Sequence, residues 1–160
     1  MKTTLMTQFN VINRIVARNL ADVTAEQSLR DPQPAGNNIN WVLGHLICIY
    51  NVMLPALDQE PVWTEETAAE YARGAKHLAP EDARPLADLL RDWETVTGRF
   101  LAGLGDLTED RYGDPAPFSP GKDPDETLGS LLTVLVFHQA YHCGQLGLLR
   151  RMAGLETAIK

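Results

Sequence analysis

Two histidines, His138 and His142, stand four residues apart in the middle of LLTVLVFHQAYHCGQLGLLRRM, residues 131–152, a stretch charged only near its end. On an α-helix residues at this spacing lie one above the other, with Cβ atoms about 5–6 Å apart, so both imidazoles can reach one point. Two ring nitrogens meeting inside an apolar bundle suggest a metal, and a third ligand would make the grip firm. His45, in NWVLGHL, is the candidate. Taken alone, a histidine such as His45 on an apolar helix is more often a hydrogen-bonded core residue than a ligand, and a lone H-x-x-x-H pair is a weak motif. Together, three imidazoles on hydrophobic faces would each cost about 1–3 kcal/mol if left unpaired, and one shared divalent cation satisfies all three. His77 falls in a polar connection and reads as a surface residue.

The neighbours narrow the chemistry. In HQAYH, Gln139 occupies the place where a zinc metalloprotease helix carries its general-base glutamate, so that mechanism is not supported. Three neutral nitrogen ligands without a fourth protein ligand describe an open site that water or a small-molecule substrate completes. A cation there generates hydroxide, or binds and ionises a thiol. Zn²⁺ suits three imidazoles best, and Ni²⁺ or Fe²⁺ would also bind. Tyr141 and Gln145 lie near the histidine direction and could bond the ligands' outer nitrogens or a substrate. Cys143 stands about 140° from His138 and points away.

These groups need helices to carry them. Leu5, Phe9, Ile12, Val16 and Leu20 make one apolar stripe from Thr4 to Leu20, the first helix. A helical turn at Ala25–Leu29 precedes DPQPAG, which cannot continue a helix. Asn37 or Asn38 can cap the second long helix, INWVLGHLICIYNVMLPAL, which is apolar nearly all round and should kink or end at Pro55. Residues 58–84 form a long polar connection with a short helix expected from Glu65 to Arg73. That length permits a crossover between the second and third long helices. Pro85 opens the third, with Leu86, Leu89, Leu90, Trp93, Val96, Phe100, Leu101 and Leu104 on one face. A Pro- and Gly-rich loop, 105–122, reads as a lid or a tie over the bundle end. Asp123, Pro124 and Glu126 spell a capping box for the fourth helix. The face within about 60° of His138 then carries Leu131, Val134, Leu135, Tyr141, His142, Gln145, Leu149 and Met152. The expectation is one all-α domain over residues 1–160, a four-helix bundle.

Composition excludes several classes. The net charge of -7, without any run of Lys or Arg, argues against nucleic acid and anionic lipid as partners. No stretch approaches the ~20 apolar residues of a membrane span, and the N-terminal segment has no apolar core of signal-peptide length, so a cytoplasmic protein is expected. Cys48 and Cys143 read as reduced core thiols.

NWVLGHL around His45, the later FHQAYHCGQLGLLRR and the four-helix layout resemble the DinB/YfiT-like superfamily of proposed metalloenzymes. The resemblance covers nearly the whole chain. It implies an up-down-down-up bundle with a divalent cation held by three histidines, carried over to His45, His138 and His142. Many members of that superfamily are homodimers, and some transfer low-molecular-weight thiols such as bacillithiol or mycothiol. It thus implies a thiol-dependent S-transferase or a hydrolase. The alternative is a non-catalytic protein that binds metal or a small ligand in a stress response. Arg111, Lys122 and Arg150 could serve the carboxylates of a thiol cofactor. The back of the fourth helix, with Leu132, Val136, Ala140, Cys143, Gly144 and Gly147, is small and apolar, as a homodimer contact would be, or a contact with another helix of the same chain.

Overall fold

The structure, a computed structural model, describes residues 1–32, 36–75 and 78–159. His77 therefore lies outside the described residues. The elements are α1 (Lys2–Leu20), α2 (Ala25–Ser28), α3 (Ile39–Met53), α4 (Glu65–Glu70), α5 (Leu86–Asp106) and α6 (Leu128–Met152), with 3-10 turns at Pro55–Leu57 and Asp110–Gly113. Among the described residues there is no strand, only an isolated bridge between Pro115 and Thr127.

All five stripe residues of α1 are buried, and α3 buries every side except the one carrying Val52. Asn38 is the cap that forms, its Oδ1 accepting from the Trp41 N–H at 2.9 Å. The helix stops at Met53 and Pro55 starts a 3-10 turn, because proline lacks the N–H that another α-turn requires. On α5 the apolar face packs inward, and Phe100 meets Phe9 edge-on at 4.8 Å.

Contacts between helix ends set their directions. Lys2 Nζ, at the start of α1, donates to the carbonyl of Gly105 at the end of α5. Arg150, at the end of α6, donates to the carbonyls of Asn19 and Ala21 at the end of α1. Asn40, opening α3, donates to the carbonyl of Arg84 just before α5, and Leu57 lies against Gly103. Thus α1 and α6 run one way and α3 and α5 the other. The chain between α3 and α5 must travel the length of the bundle. On its way Asn51 holds it to α3, accepting from the N–H groups of Val62 and Trp63 and donating to the Trp63 carbonyl.

Three expectations need correction. α4 ends at Glu70, three residues short of Arg73, where Tyr71 leaves helical geometry. The fourth long helix does not begin at Asp123. Asp123 instead accepts from the Asp125 N–H in a local turn and Glu126 accepts from Ser119, so Thr127 caps α6 by accepting from Ser130 N. An aspartate beside proline can close its own turn as readily as cap a helix, and here the turn wins. The buried side of α6 also centres on Leu135, Gln139 and Leu146 rather than on His138; Val134, Tyr141 and Met152 are exposed. That rotation puts the histidines at the edge of the core, where a ligand can reach them. Gln139 sits fully buried, with no partner for its amide among the described residues.

At the back of α6, Gly147 faces Asn19 of α1, whereas a side chain at Gly144 would meet open space. No helix among the described residues is long and apolar enough to cross a membrane.

Candidate metal centre

The crossing of α3 and α6 brings His45, His138 and His142 together, with one ring nitrogen from each lying within 4.8 Å of the others. His45 Nε2 and His138 Nε2 are 3.2 Å apart. Two nitrogens bound at about 2.0–2.1 Å to one tetrahedral Zn²⁺ would stand about 3.3 to 3.4 Å apart, so the spacing suits a shared cation. Among the described residues no cysteine or carboxylate joins this cluster.

Each imidazole is oriented by a different device. His45 stacks on Trp41 one turn earlier, with ring planes 9° apart and centroids at 4.9 Å. Its Nδ1–H donates to the carbonyl of Tyr71 at 2.7 Å, which leaves Nε2 with a free lone pair facing the cluster. His142 Nδ1–H donates to Gln145 Oε1 at 2.9 Å, again freeing Nε2. An outer partner of this kind fixes the tautomer and raises ligand basicity. Among the described residues His138 has none, and its Nδ1 is buried. The bare cluster must therefore place a proton on His138 Nε2 to avoid two lone pairs facing each other at 3.2 Å. A cation would remove that conflict.

Gln145 lies one turn from His142 and bonds its Nδ1. Tyr141 sets its ring edge-on to His142 at 5.1 Å but is 62% exposed, and its hydroxyl makes no bond with the described residues. Cys143 faces α1, where Asn19 Nδ2 donates to its carbonyl, and burial raises its thiol pKa. Cys48 donates to the Ala68 carbonyl, and burial pushes its thiol up to about 11. Arg111 is tied to Asp58, Asp114 and the Ala56 carbonyl, and Arg150 is buried among backbone carbonyls, so neither is available to an anion at the centre.

Sequence reasoning missed Tyr71 and Gly44. A Cβ at Gly44 would fall 2.1 Å from the Tyr71 ring. The glycine before His45 therefore lets the fully buried Tyr71 lie against α3 and present its carbonyl to the imidazole. The G-H pair in NWVLGHL was a visible signal; its partner, 26 residues away in a polar connection, was not.

Beside the cluster a pocket of about 310 Å³ opens between α3, α6 and the 105–122 loop, and His45 and His138 form part of its wall. Phe118 and Pro120 bring that loop to the pocket.

The electrostatics favour neutral imidazoles. Burial lowers all three pKa values, opposed at His45 by the Tyr71 bond and at His142 by Gln145. His138 falls to about 3, through burial first and then the neighbouring positive charges of His142, His45 and Arg73. An unfolded histidine titrates near 6.5, so between about pH 6.5 and 3 the unfolded chain binds more protons than the folded one. Stability contributed by the neutral rings is complete above pH 6.5 and is lost as pH falls. Metal-free protein should lose about 1–2 kcal/mol through His138 alone between pH 7 and pH 5, after allowing for the ring's partial contact with water. Urea unfolding of chelator-treated protein at the two pH values measures this. A His138→Leu variant should show a correspondingly shallower slope, and an equal slope would refute the assignment.

An all-helical bundle with three converging histidines and an adjoining pocket defines the class of protein. The DinB superfamily model matches residues 11–146, and the chain belongs to that superfamily. A solved structure described as a conserved protein from Enterococcus faecalis is similar in fold, with a TM-score of 0.73 and 17% identity over 96% of each chain. At that identity the likeness speaks for the fold alone. No curated protein matches the sequence.

Proposed function

We propose that this chain is a metal-dependent enzyme in which His45, His138 and His142 hold one divalent cation, with Zn²⁺ the best-suited ion, and that its reaction is thiol-dependent S-transfer or hydrolysis. The observation that carries this reading is the convergence of three ring nitrogens, two of them freed by outer partners, at the wall of a pocket. A divalent cation there would supply a Lewis acid that lowers the pKa of a water or thiol. Tyr71 and Gln145 keep His45 and His142 in the ligating tautomer, and Trp41 holds the His45 ring plane. Phe118, Val134 and Phe137 give the pocket a mainly apolar lining beside the histidines.

One observation favours a non-catalytic metal- or ligand-binding protein instead: among the described residues no carboxylate lines the pocket to act as a separate base. Turnover decides between them. Zinc-loaded protein incubated with a panel of low-molecular-weight thiols and electrophiles, and with ester and amide substrates, should consume thiol or hydrolyse substrate faster than a His138→Ala/His142→Ala variant. Rates equal to the variant's would support the binding protein, and failure to take up any divalent cation would remove both readings.

A further inference from the structure

The pocket beside the histidines is chemically one-sided. Val134, Phe137 and Tyr141 on α6 stand at its mouth, 37%, 72% and 62% exposed, and the Phe137 and Tyr141 rings lie 6.4 Å apart. Single exposed apolar residues are ordinary, but three neighbours on one helix rimming a cavity mark a surface kept for a ligand. Ile49 and Phe118 continue the apolar wall inward. A volume of about 310 Å³ suits a small organic molecule rather than a polymer chain.

Against this background Arg73 is the one charged side chain among the described lining residues. It forms no hydrogen bond or ion pair with the described residues. Several other arginines are engaged: Arg84 with Asp92, Arg91 with Asp88 and Arg99 with the carbonyls of Glu60 and Pro61. In a chain with 21 acidic and 14 basic residues, Arg73 lines the apolar cavity with no carboxylate beside it among the described residues. It is also close to the centre, since after burial its charge is among the causes that disfavour protonation of His45 and His138. The segment carrying it is anchored, because Tyr71, two residues earlier, bonds His45 through its carbonyl and Asn40 through its hydroxyl. Gly74 follows at φ 82, a left-handed turn that favours glycine. The same few residues therefore orient an imidazole and place a cation at the pocket.

From this juxtaposition we infer that the pocket selects a substrate with an apolar body and a single carboxylate, the carboxylate seated on Arg73 and the body against Phe118, Val134 and Phe137. The planar guanidinium offers paired N–H donors that match a carboxylate, and one cation balances one anion. This assignment rests on the metal-centre reading, which it places at the inner end of the same pocket.

The test uses zinc-loaded protein whose metal content is first read by elemental analysis. 4-Phenylbutyrate and its neutral analogue 4-phenylbutan-1-ol are titrated calorimetrically into wild type, Arg73→Gln and Phe137→Ser. Arg73 is exposed, so the glutamine variant should fold, and its melting curve checks this. Wild type should bind the carboxylate about tenfold or more tightly than the alcohol, the discrimination that a hydrogen bond to a charged group provides. Arg73→Gln should bring the two within about twofold without changing zinc content, and Phe137→Ser should weaken both. Equal binding of the probes by wild type, or binding of neither, overturns the assignment. So does a preference that survives in Arg73→Gln, which would place the anion on the metal and leave the metal centre standing. Absence of zinc from wild type would remove the metal centre instead, and the same comparison on zinc-free protein would still decide the role of Arg73.

Discussion

Replacing His138 with leucine should leave metal-free protein as stable as wild type, or up to about 1 kcal/mol more stable, while lowering divalent-cation affinity by more than about 100-fold. Both halves follow from its surroundings. The imidazole has a buried Nδ1 with no partner among the described residues and faces a second ring nitrogen at 3.2 Å, so without metal it contributes little and carries the cost of an unsatisfied polar group. Leucine is close in size and has no such group. Outer-shell partners alone account for about 10–100-fold in metal affinity, and loss of a ligand should exceed that. Zinc titration and urea unfolding of chelator-treated protein give the two numbers. A histidine that served only the fold would produce the opposite pattern, a loss of about 2 kcal/mol or more with cation uptake unchanged, and that result would sink the metal assignment.

Gly44→Ala should be the most disruptive single-methyl change near the site. The added Cβ would sit 2.1 to 2.6 Å from three ring atoms of Tyr71, which cannot swing aside. Its ring is fully buried, its hydroxyl meets Asn40 and the Arg84 N–H, and its carbonyl holds His45. Overpacking of this kind costs about 1–3 kcal/mol and sometimes more, against a gain of about 1 kcal/mol from alanine's helix propensity. A net loss of about 1–2 kcal/mol is expected, with metal affinity falling about 10–100-fold as the Tyr71 carbonyl withdraws from the imidazole. Gly144→Ala is the matched comparison, since its Cβ meets nothing within 4 Å and only the propensity gain remains. Equal stability and equal zinc affinity for the two variants would refute the packing argument.

The three histidines were legible because helical spacing alone puts His138 above His142, and because His45 lies on a helix with almost no polar face to spare. Gln145 was legible for the same reason, being one turn from His142. Tyr71 and Arg73 were not. They reach the site from a connection whose path depends on long-range bonds, such as those of Asn51 to residues 62 and 63, and no periodicity records such bonds. The beginning of α6 was misjudged because Asp123 and Thr127 both carry capping chemistry, and only the finished loop shows that Asp123 is already engaged in its own turn. The buried side of α6 was misjudged because Gln139, a polar residue, lies on its axis.

The placement of the two cysteines has a further consequence. A histidine cluster that held a cation would be exposed to capture of that cation by sulfur from its own chain. Here Cys48 is bonded to the Ala68 carbonyl, and Cys143, one residue after His142, is turned towards Asn19 on another helix. Neither belongs to the histidine cluster. The fold thus keeps both of the chain's own cysteine sulfurs away from the three imidazoles.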